Sequence, residues 1–231
     1  MQHHISIIIP VLNEKTHIGK LLEYLQEVSS KKNIAEIIVV DGGSTDGSIH
    51  IISKFKNITL IHSDQGRAKQ MNVGAKKATG SILYFLHADS FPPKQFDALI
   101  INETQQGNEA GCFRMQFDSD HWWLKLAGWF TKFNWKACRG GDQSLFITKT
   151  LFDTIGGYDE RYTIYEDNIL INELYARKQF VVINKKLKSS ARMYRKHGVW
   201  KLQYYYWSIY IKRWLGADAD TLYYYYKKKV C

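Results

Sequence analysis

The sequence predicts an α/β fold: a doubly wound, mostly parallel sheet, followed by an α+β lobe and an aromatic, basic C-terminal segment. Three observations predict it. The runs "ISIIIP" (5–10) and "EIIVVD" (36–41) carry no polar alternation, as strands covered on both faces require. Between them Ile18, Leu21, Leu22, Leu25 and Val28 recur at helical spacing. The strand–helix–strand order then repeats, which calls for parallel pairing through right-handed crossovers.

Taken in order, "GSTDGS" (43–48) offers Ser44 and Thr45 as caps for a second helix, whose apolar stripe is Ile49, Ile52 and Phe55. "ITLIHS" (58–63) is the third strand. A third helix from about Gly66 to Ala78 is closed by Gly80, and "SILYFLHA" (81–88) is the fourth strand. After about residue 108 the pattern changes: "EAGCFRMQF", the tryptophan-rich "HWWLKLAGWFTKFNWK" (121–136) and "RGGDQSLFIT" read as α+β. The stretch 156–179 holds a helix with Ile171, Leu174 and Tyr175 on one side and Glu166 and Asp167 at its start. "FVVINKKLKSSARMY" (180–194) returns as strand. No repeat or linker interrupts the chain, so residues 1–231 form one domain, with lobes 1–107 and 108–195 and a C-terminal amphipathic segment, 196–231.

A chain of 231 residues buries one sizeable core. Its 45% hydrophobic and 23% charged residues exclude the disordered class. Cys112, Cys138 and Cys231 are odd in number and far apart, with neither a disulfide framework nor a C-x-x-C spacing, so a reducing, cytoplasmic setting is expected. "MQHHISIIIPVLNE" lacks a basic leader and a cleavage site and reads as a first strand. No apolar run approaches the ~20 residues that span a bilayer. Lysine plus arginine exceed aspartate plus glutamate by 32 to 22, which favours anionic partners.

Ligands of open parallel sheets sit beyond the carboxyl ends of the strands, where strand order reverses. Polar residues gather at those ends here: Asn13 and Glu14 after the first strand, Asp41 on the second, Asp64 after the third, His87 and Asp89 on the fourth. Their common register points to a cleft. Neither G-x-G-x-x-G nor G-x-x-x-x-G-K-[ST] occurs, which counts against dinucleotide oxidoreductases and P-loop enzymes. Taken alone, Asp41-Gly42-Gly43 suits a plain turn equally well.

"ISIIIPVLNE", "IIVVDGGSTDGS", "GRAKQMNVGAKKATGSILYFLHADS", "GGYDE" and "YEDNIL", in this order, resemble the family 2 glycosyltransferases, whose catalytic domain has the GT-A fold. The resemblance covers residues from about 5 to 195. "FLHAD", "GGDQSLF" and "SSAR" resemble a bacterial branch whose members are often described only as transferases, a label that brings no acceptor with it.

The resemblance implies inverting transfer from a nucleotide sugar (a UDP-, GDP- or dTDP-sugar), with a divalent cation, Mn²⁺ or Mg²⁺, on the diphosphate. Asp89 matches the metal-holding carboxylate of the family's Asp-x-Asp motif, and His87 departs from that motif. An imidazole suits transition metals better than Mg²⁺, so His87 is a second ligand, a hydrogen-bonding group for ribose or phosphate, or a plain strand-end histidine. Glu166-Asp167 matches the family's Glu-Asp pair, with Asp167 as the base that takes the acceptor proton. The first turn of a helix favours its ionised form, though acidic residues there also serve simply as caps. Asp41 matches the nucleobase contact, flanked by the loop from Pro10 through Asn13 to Glu14, and Arg67 sits where the family carries a basic residue near the nucleotide. Asp142 and Gln143 fall beside the donor sugar and acceptor, unless they form only a hairpin turn. Arg192 and His197 are candidates to close over the diphosphate.

Trp122, Trp123, Trp129, Phe130, Phe133 and Trp135 alternate with Lys125, Lys132 and Lys136, and "KLQYYYWSIYIKRWLGADADTLYYYYKKKVC" repeats the mixture. Such segments suit an anionic membrane surface, reached peripherally from the cytoplasmic side and supplying a lipid-linked acceptor. Packing of the second lobe explains the aromatics as well. A single-stranded nucleic-acid binder would share this composition but leaves the strand-end carboxylates unexplained, so no nucleic acid is expected. A sugar-phosphate nucleotidylyltransferase would want a glycine-rich, Arg- and Lys-bearing loop after the first strand, and "PVLNEKTHIG" does not provide it.

Overall fold

The computed structural model describes residues 3–140 and 143–230. Its strands are β1 (Ile5–Val11), β2 (Ile34–Asp41), β3 (Ile58–His62), β4 (Ile82–Phe85), β5 (Ser90–Phe91), β6 (Ala110–Phe117), β7 (Leu145–Thr148) and β8 (Val181–Ser189). The helices are α1 (Ile18–Val28), α2 (Ser48–Ile52), α3 (Arg67–Lys77), α4 (Phe96–Gln105), α5 (Trp122–Phe130), α6 (Lys149–Ile155), α7 (Glu166–Ala176), α8 (Arg192–His197), α9 (Val199–Trp214) and α10 (Ala219–Lys229). One sheet contains all the described strands, in the order β3-β2-β1-β4-β7-β6-β8-β5. The first four are mutually parallel, β7 runs antiparallel to both β4 and β6, and β6 is parallel to β8. The sheet therefore runs without a break from the first lobe into the second.

Helices cover both faces of the central strands, which is why β1, β4 and the second half of β2 are almost wholly apolar. Ile5, Ile7 and Ile9 face α1 and α4, where Ile18, Leu21, Leu22, Leu25, Phe96 and Ile100 are buried. Each such aliphatic side chain contributes about 1.5–3 kcal/mol on burial. Ile8 faces the other way, onto Met71 and Ala75 of α3, and Leu170 and Leu174 of α7 complete that layer beyond it. Gly74 brings α3 against the strands: a Cβ there would lie 2.5 Å from Ile8 Cγ2 and 3.1 Å from Val40 Cγ2.

Three local expectations are corrected. The fourth strand ends at Phe85, and His87 to Asp89 form a turn beyond it. The Leu86 amide makes the last rung by donating to Ile8 O (3.0 Å), and the next rung would need an N–H from Pro10, which has none. Ser44 and Thr45 do not cap α2, which starts at Ser48 after the left-handed Gly47 (φ 91°); Asp46 Oδ1 accepts the Ser48 amide instead. Residues 180–194 divide into β8 and the short helix α8. In addition, Gly80 follows a helix that has already ended. It is there because a Cβ would meet His4 O at 2.7 Å.

Glu36 of β2 ties the edges together. Its Oε1 accepts hydrogen bonds from Ser6 Oγ (2.8 Å) and from the amide and hydroxyl of Thr79 (both 2.7 Å). Burial pushes this carboxyl up, but those bonds outweigh burial and hold it below the usual carboxylate range. A depressed folded value means that the stabilisation is present above the ordinary value near pH 4 and fades as pH falls through the folded one. Glu36→Gln should therefore lower the unfolding free energy near pH 7, and urea titrations of variant and wild type should converge below about pH 4. Gly74→Ala should cost about 1–3 kcal/mol in the same assay, because the added methyl forces α3 off the sheet.

Candidate active site

Strand order reverses between β1 and β4, so the loops leaving β1, β2 and β4 surround one crevice. The first two are stitched together. Asn13, in a left-handed conformation (φ 56°), accepts the Thr45 amide on Oδ1 (2.9 Å), while its own amide donates to Ser44 Oγ (2.9 Å). The amides of Glu14 and Lys15 donate to Ser48 Oγ and Asp46 Oδ2. Asp41 is buried at the end of β2, accepting the amides of Gly43 (2.9 Å) and Ser44 (3.1 Å), with His62 Nδ1 at 3.5 Å. Burial pushes its carboxyl up, and the hydrogen bonds from Ser44, Gly43 and His62 more than reverse that, so Asp41 stays ionised. The buried Gln70 of α3 donates to Val11 O (2.9 Å) and Val40 O (2.7 Å), pinning α3 to the carboxyl ends of β1 and β2.

On the other side of β1, Arg192 at the start of α8 spans two loops. Its NH1 donates to Glu14 Oε2 (2.7 Å), its NH2 donates to Glu14 Oε1, and its Nε lies 3.2 Å from Asp89 Oδ2. His17 Nδ1 approaches Glu14 Oε2 at 3.2 Å. Among the described residues no three of His, Cys, Asp and Glu form a ready-made metal cage. The donor set still suits a cation completed by substrate: Asp89 supplies a hard carboxylate oxygen and His87 lies two residues away on the same turn. Mg²⁺ and Mn²⁺ sites on diphosphates commonly take only one or two protein ligands, with phosphate oxygens and water filling the rest. His197, in the last turn of α8, keeps its Nε2 buried without a hydrogen-bond partner.

Glu166 and Asp167 open α7, after Tyr165 in a left-handed conformation (φ 72°). Both are buried, and the Arg67 guanidinium lies 3.2 Å from Glu166 Oε1 and 3.5 Å from Asp167 Oδ2. A buried carboxylate needs such a partner, since losing it strands an uncompensated charge. α3 therefore supplies Gln70 to the strand ends, Arg67 to the acidic pair and Asn72 to the "GGYDE" turn. Asn72 exchanges hydrogen bonds with the Tyr158 amide and carbonyl (both 2.9 Å). Pro10, Leu86, His87, Ser144, Tyr158 and Asp167 line one narrow cleft. Tyr158 packs its ring on Phe85 and Phe152, and its hydroxyl is buried there without a hydrogen-bond partner. Burial, together with the nearby Asp167 and Glu166, pushes that phenol well up, so it remains protonated.

Asp142 lies outside the described residues. Gln143 is occupied by the fold: its Oε1 accepts from Arg139 NH1 (2.7 Å) and Cys112 Sγ (3.3 Å), and its Nε2 donates to Cys138 O (2.7 Å). Arg139 is itself buried and also donates to the carbonyls of Thr131 and Phe133 (both 2.7 Å). This network braces the chain before β7. Burial pushes the Cys112 thiol up to about 11, so it is inert at neutral pH. Sequence reasoning did not single out Arg139 or Tyr158; a basic residue in "CRGGDQ" and a phenol between glycines and an acid were the only signals.

The family model for "Glycosyl transferase family 2" matches residues 6–161. An uncharacterized glycosyltransferase of Haemophilus influenzae is 37% identical over 122 residues, covering 47% of this chain and 48% of its own. A PGL/p-HBAD biosynthesis glycosyltransferase of Mycobacterium bovis is 32% identical over 178 residues, covering 70% of this chain and 66% of its own. The chain thus spans only part of these relatives. Among solved structures, the mannosyltransferase PcManGT from Pyrobaculum calidifontis, in complex with GDP-Man and Mn²⁺, superimposes with a TM-score of 0.70 at 17% identity, over 96% of this chain and 67% of that one. Staphylococcus aureus TarS 1-349 in complex with UDP-GlcNAc gives 0.64 at 18% identity, over 81% of this chain and 58% of that one. The stitched strand-end loops, the Asp89 turn and the acidic pair on α7 are thus carried by a GT-A fold, and the chain belongs to glycosyl transferase family 2.

Proposed function

We propose that the chain transfers a sugar, with inversion, from a nucleotide-sugar donor to an acceptor hydroxyl, and that the acceptor is carried on a lipid at an anionic membrane surface. One observation carries the transfer: His87 and Asp167 line a single cleft at the strand-order reversal, with Asp41 at the end of the neighbouring β2 and the Asp89–Arg192 pair beside β4. The donors named for PcManGT (GDP-Man) and TarS (UDP-GlcNAc) support the donor class.

In this reading the base rests against the Asp41 side and the diphosphate lies beside the Asp89–Arg192 pair. The acceptor oxygen attacks the anomeric carbon while the bond to the diphosphate breaks. That electron pair departs with the nucleoside diphosphate, and the hydroxyl proton passes to the Asp167 carboxylate. Arg67, 3.5 Å from Asp167 Oδ2, holds that carboxylate in place at the first turn of α7. Arg192, cationic at every accessible pH, stabilises the charge on the leaving group. Asp89, with His87, would hold Mn²⁺ or Mg²⁺, which would supply positive charge to the departing diphosphate.

Asp167→Asn should leave donor binding intact, measured by calorimetry with UDP-GlcNAc and GDP-Man, while transfer falls about 10²–10⁴-fold. Loss of binding in that variant would contradict the assignment of Asp167 as base. Asp89→Ala should abolish the metal-dependent part of donor binding. A donor affinity indifferent to both EDTA and this substitution would remove the cation from the mechanism.

A further inference from the structure

The helix that follows α8 carries two apolar stripes, one buried by the fold and the other touching α5, through Trp200 and Trp207, and otherwise left in solvent. On α9, Leu202 and Ile209 are buried, and Ile209 shares a cluster with Tyr162 and with Leu222 of α10. On the opposite side Trp200, Tyr204, Trp207, Ile211 and Trp214 follow one another at spacings of four, three, four and three residues, all solvent-exposed. That spacing makes a continuous ridge about 21 Å long at ~1.5 Å per residue. Trp214 is 85% exposed and Leu215, which follows it, 73%. At its other end the ridge continues onto α5, where the rings of Trp122 and Trp123 lie 5.7 Å and 5.4 Å from that of Trp200. Scattered surface aromatics need no explanation, whereas a ridge at helical period does.

We infer that this ridge is a docking face for an anionic phospholipid bilayer. The first argument is charge. Between residues 196 and 230 the chain holds Lys196, Lys201, Lys212, Arg213 and Lys227 to Lys229 against only Asp218 and Asp220; Arg213 stacks over Tyr162 and Lys212 over Tyr225, and Asp218 is occupied capping α10. Lys125 and Lys132 extend the basic fringe along α5, and Asp120 is paired to Lys125 at 2.8 Å. Each Lys or Arg near an anionic surface adds to the attraction. The second argument is ring chemistry: indoles and phenols present an apolar body and a polar edge, the pairing enriched at headgroup depth. Among the described residues no helix is long and apolar enough to cross a membrane, so the ridge lies in the interface plane.

Its place in the fold gives the docking a purpose, and here the inference rests on the transferase reading. α9 begins at Val199, seven residues after the Arg192 that holds Asp89 and Glu14. Further along, Tyr210 packs on Tyr165, immediately before Glu166, and its hydroxyl donates to Asn168 Oδ1 (3.4 Å). The helix thus flanks both the diphosphate side and the base side of the cleft. A bilayer against its outer stripe would bring a lipid-borne hydroxyl to Asp167 without the lipid leaving the membrane.

The test is sedimentation of the full chain with vesicles of phosphatidylcholine alone and of phosphatidylcholine with 30% phosphatidylglycerol, with donor binding measured in parallel on the same samples. Binding should favour the anionic vesicles, weaken with salt, and drop by about tenfold or more in Ile211→Ser/Trp214→Ser, whose side chains are exposed and outside the cleft. Brominated phosphatidylcholine in the anionic vesicles should quench wild-type tryptophan fluorescence. Equal partitioning of wild type and variant would overturn the inference. So would absence of vesicle binding, or a dimer in sedimentation velocity that the double substitution abolishes without any vesicle binding, which would make the ridge a contact between copies. Intact UDP-GlcNAc or GDP-Man binding beside failed vesicle binding would refute the docking face alone, and the converse would refute the transferase reading.

Discussion

The parallel pairing of β1 with both β2 and β4 is the constraint on which the site depends. Three strands end on the same side, and the chain must turn away from β1 in opposite directions, so no strand can cover the gap between their carboxyl ends. Pro10 sharpens the gap by ending the β1–β4 ladder one rung early, which releases His87 and Asp89 from the sheet into a turn. The Gln70 amide, bonded to the carbonyls of Val11 and Val40, closes the frayed ends and fixes α3 there. From that one helix Arg67 reaches the acidic pair and Asn72 holds the turn that carries Tyr158.

Five carboxylates crowd this region: Glu14, Asp41, Asp89, Glu166 and Asp167. Each is at least partly offset locally, Glu14 and Asp89 sharing Arg192, Glu166 and Asp167 sharing Arg67, and Asp41 held by backbone amides and His62. Left unbalanced they would repel an anionic donor and resist burial. Balanced, they become positioning groups inside a chain whose net charge of +10 already attracts a diphosphate. Arg192 is the pivotal cation, since it joins the β1–α1 loop to the Asp89 turn and opens α8, the short helix ahead of α9.

The layered fold was legible because buried parallel strands leave unmistakable apolar runs, and because the topology puts Asn13, Asp41 and Asp89 at the strand ends. Glu166 and Asp167 were expected at the start of a helix, and α7 opens with them. Contacts between residues far apart in sequence were not. Nothing local in "SSAR" says that its arginine meets Glu14, and nothing in "RGGDQ" says that Arg139 is buried on carbonyls and a thiol. The aromatic C-terminus was ambiguous for a physical reason: α9 is apolar on two opposite faces, and composition cannot separate the stripe that packs from the one left in solvent.

A crystal structure of the chain with UDP-GlcNAc or GDP-Man and Mn²⁺ is the most direct test. The base is expected against Asp41, the diphosphate beside the Asp89–Arg192 pair, and the anomeric carbon facing the Asp167 carboxylate across the cleft lined by His87 and Tyr158. A nucleotide seated anywhere else, or one whose sugar points away from α7, would contradict it.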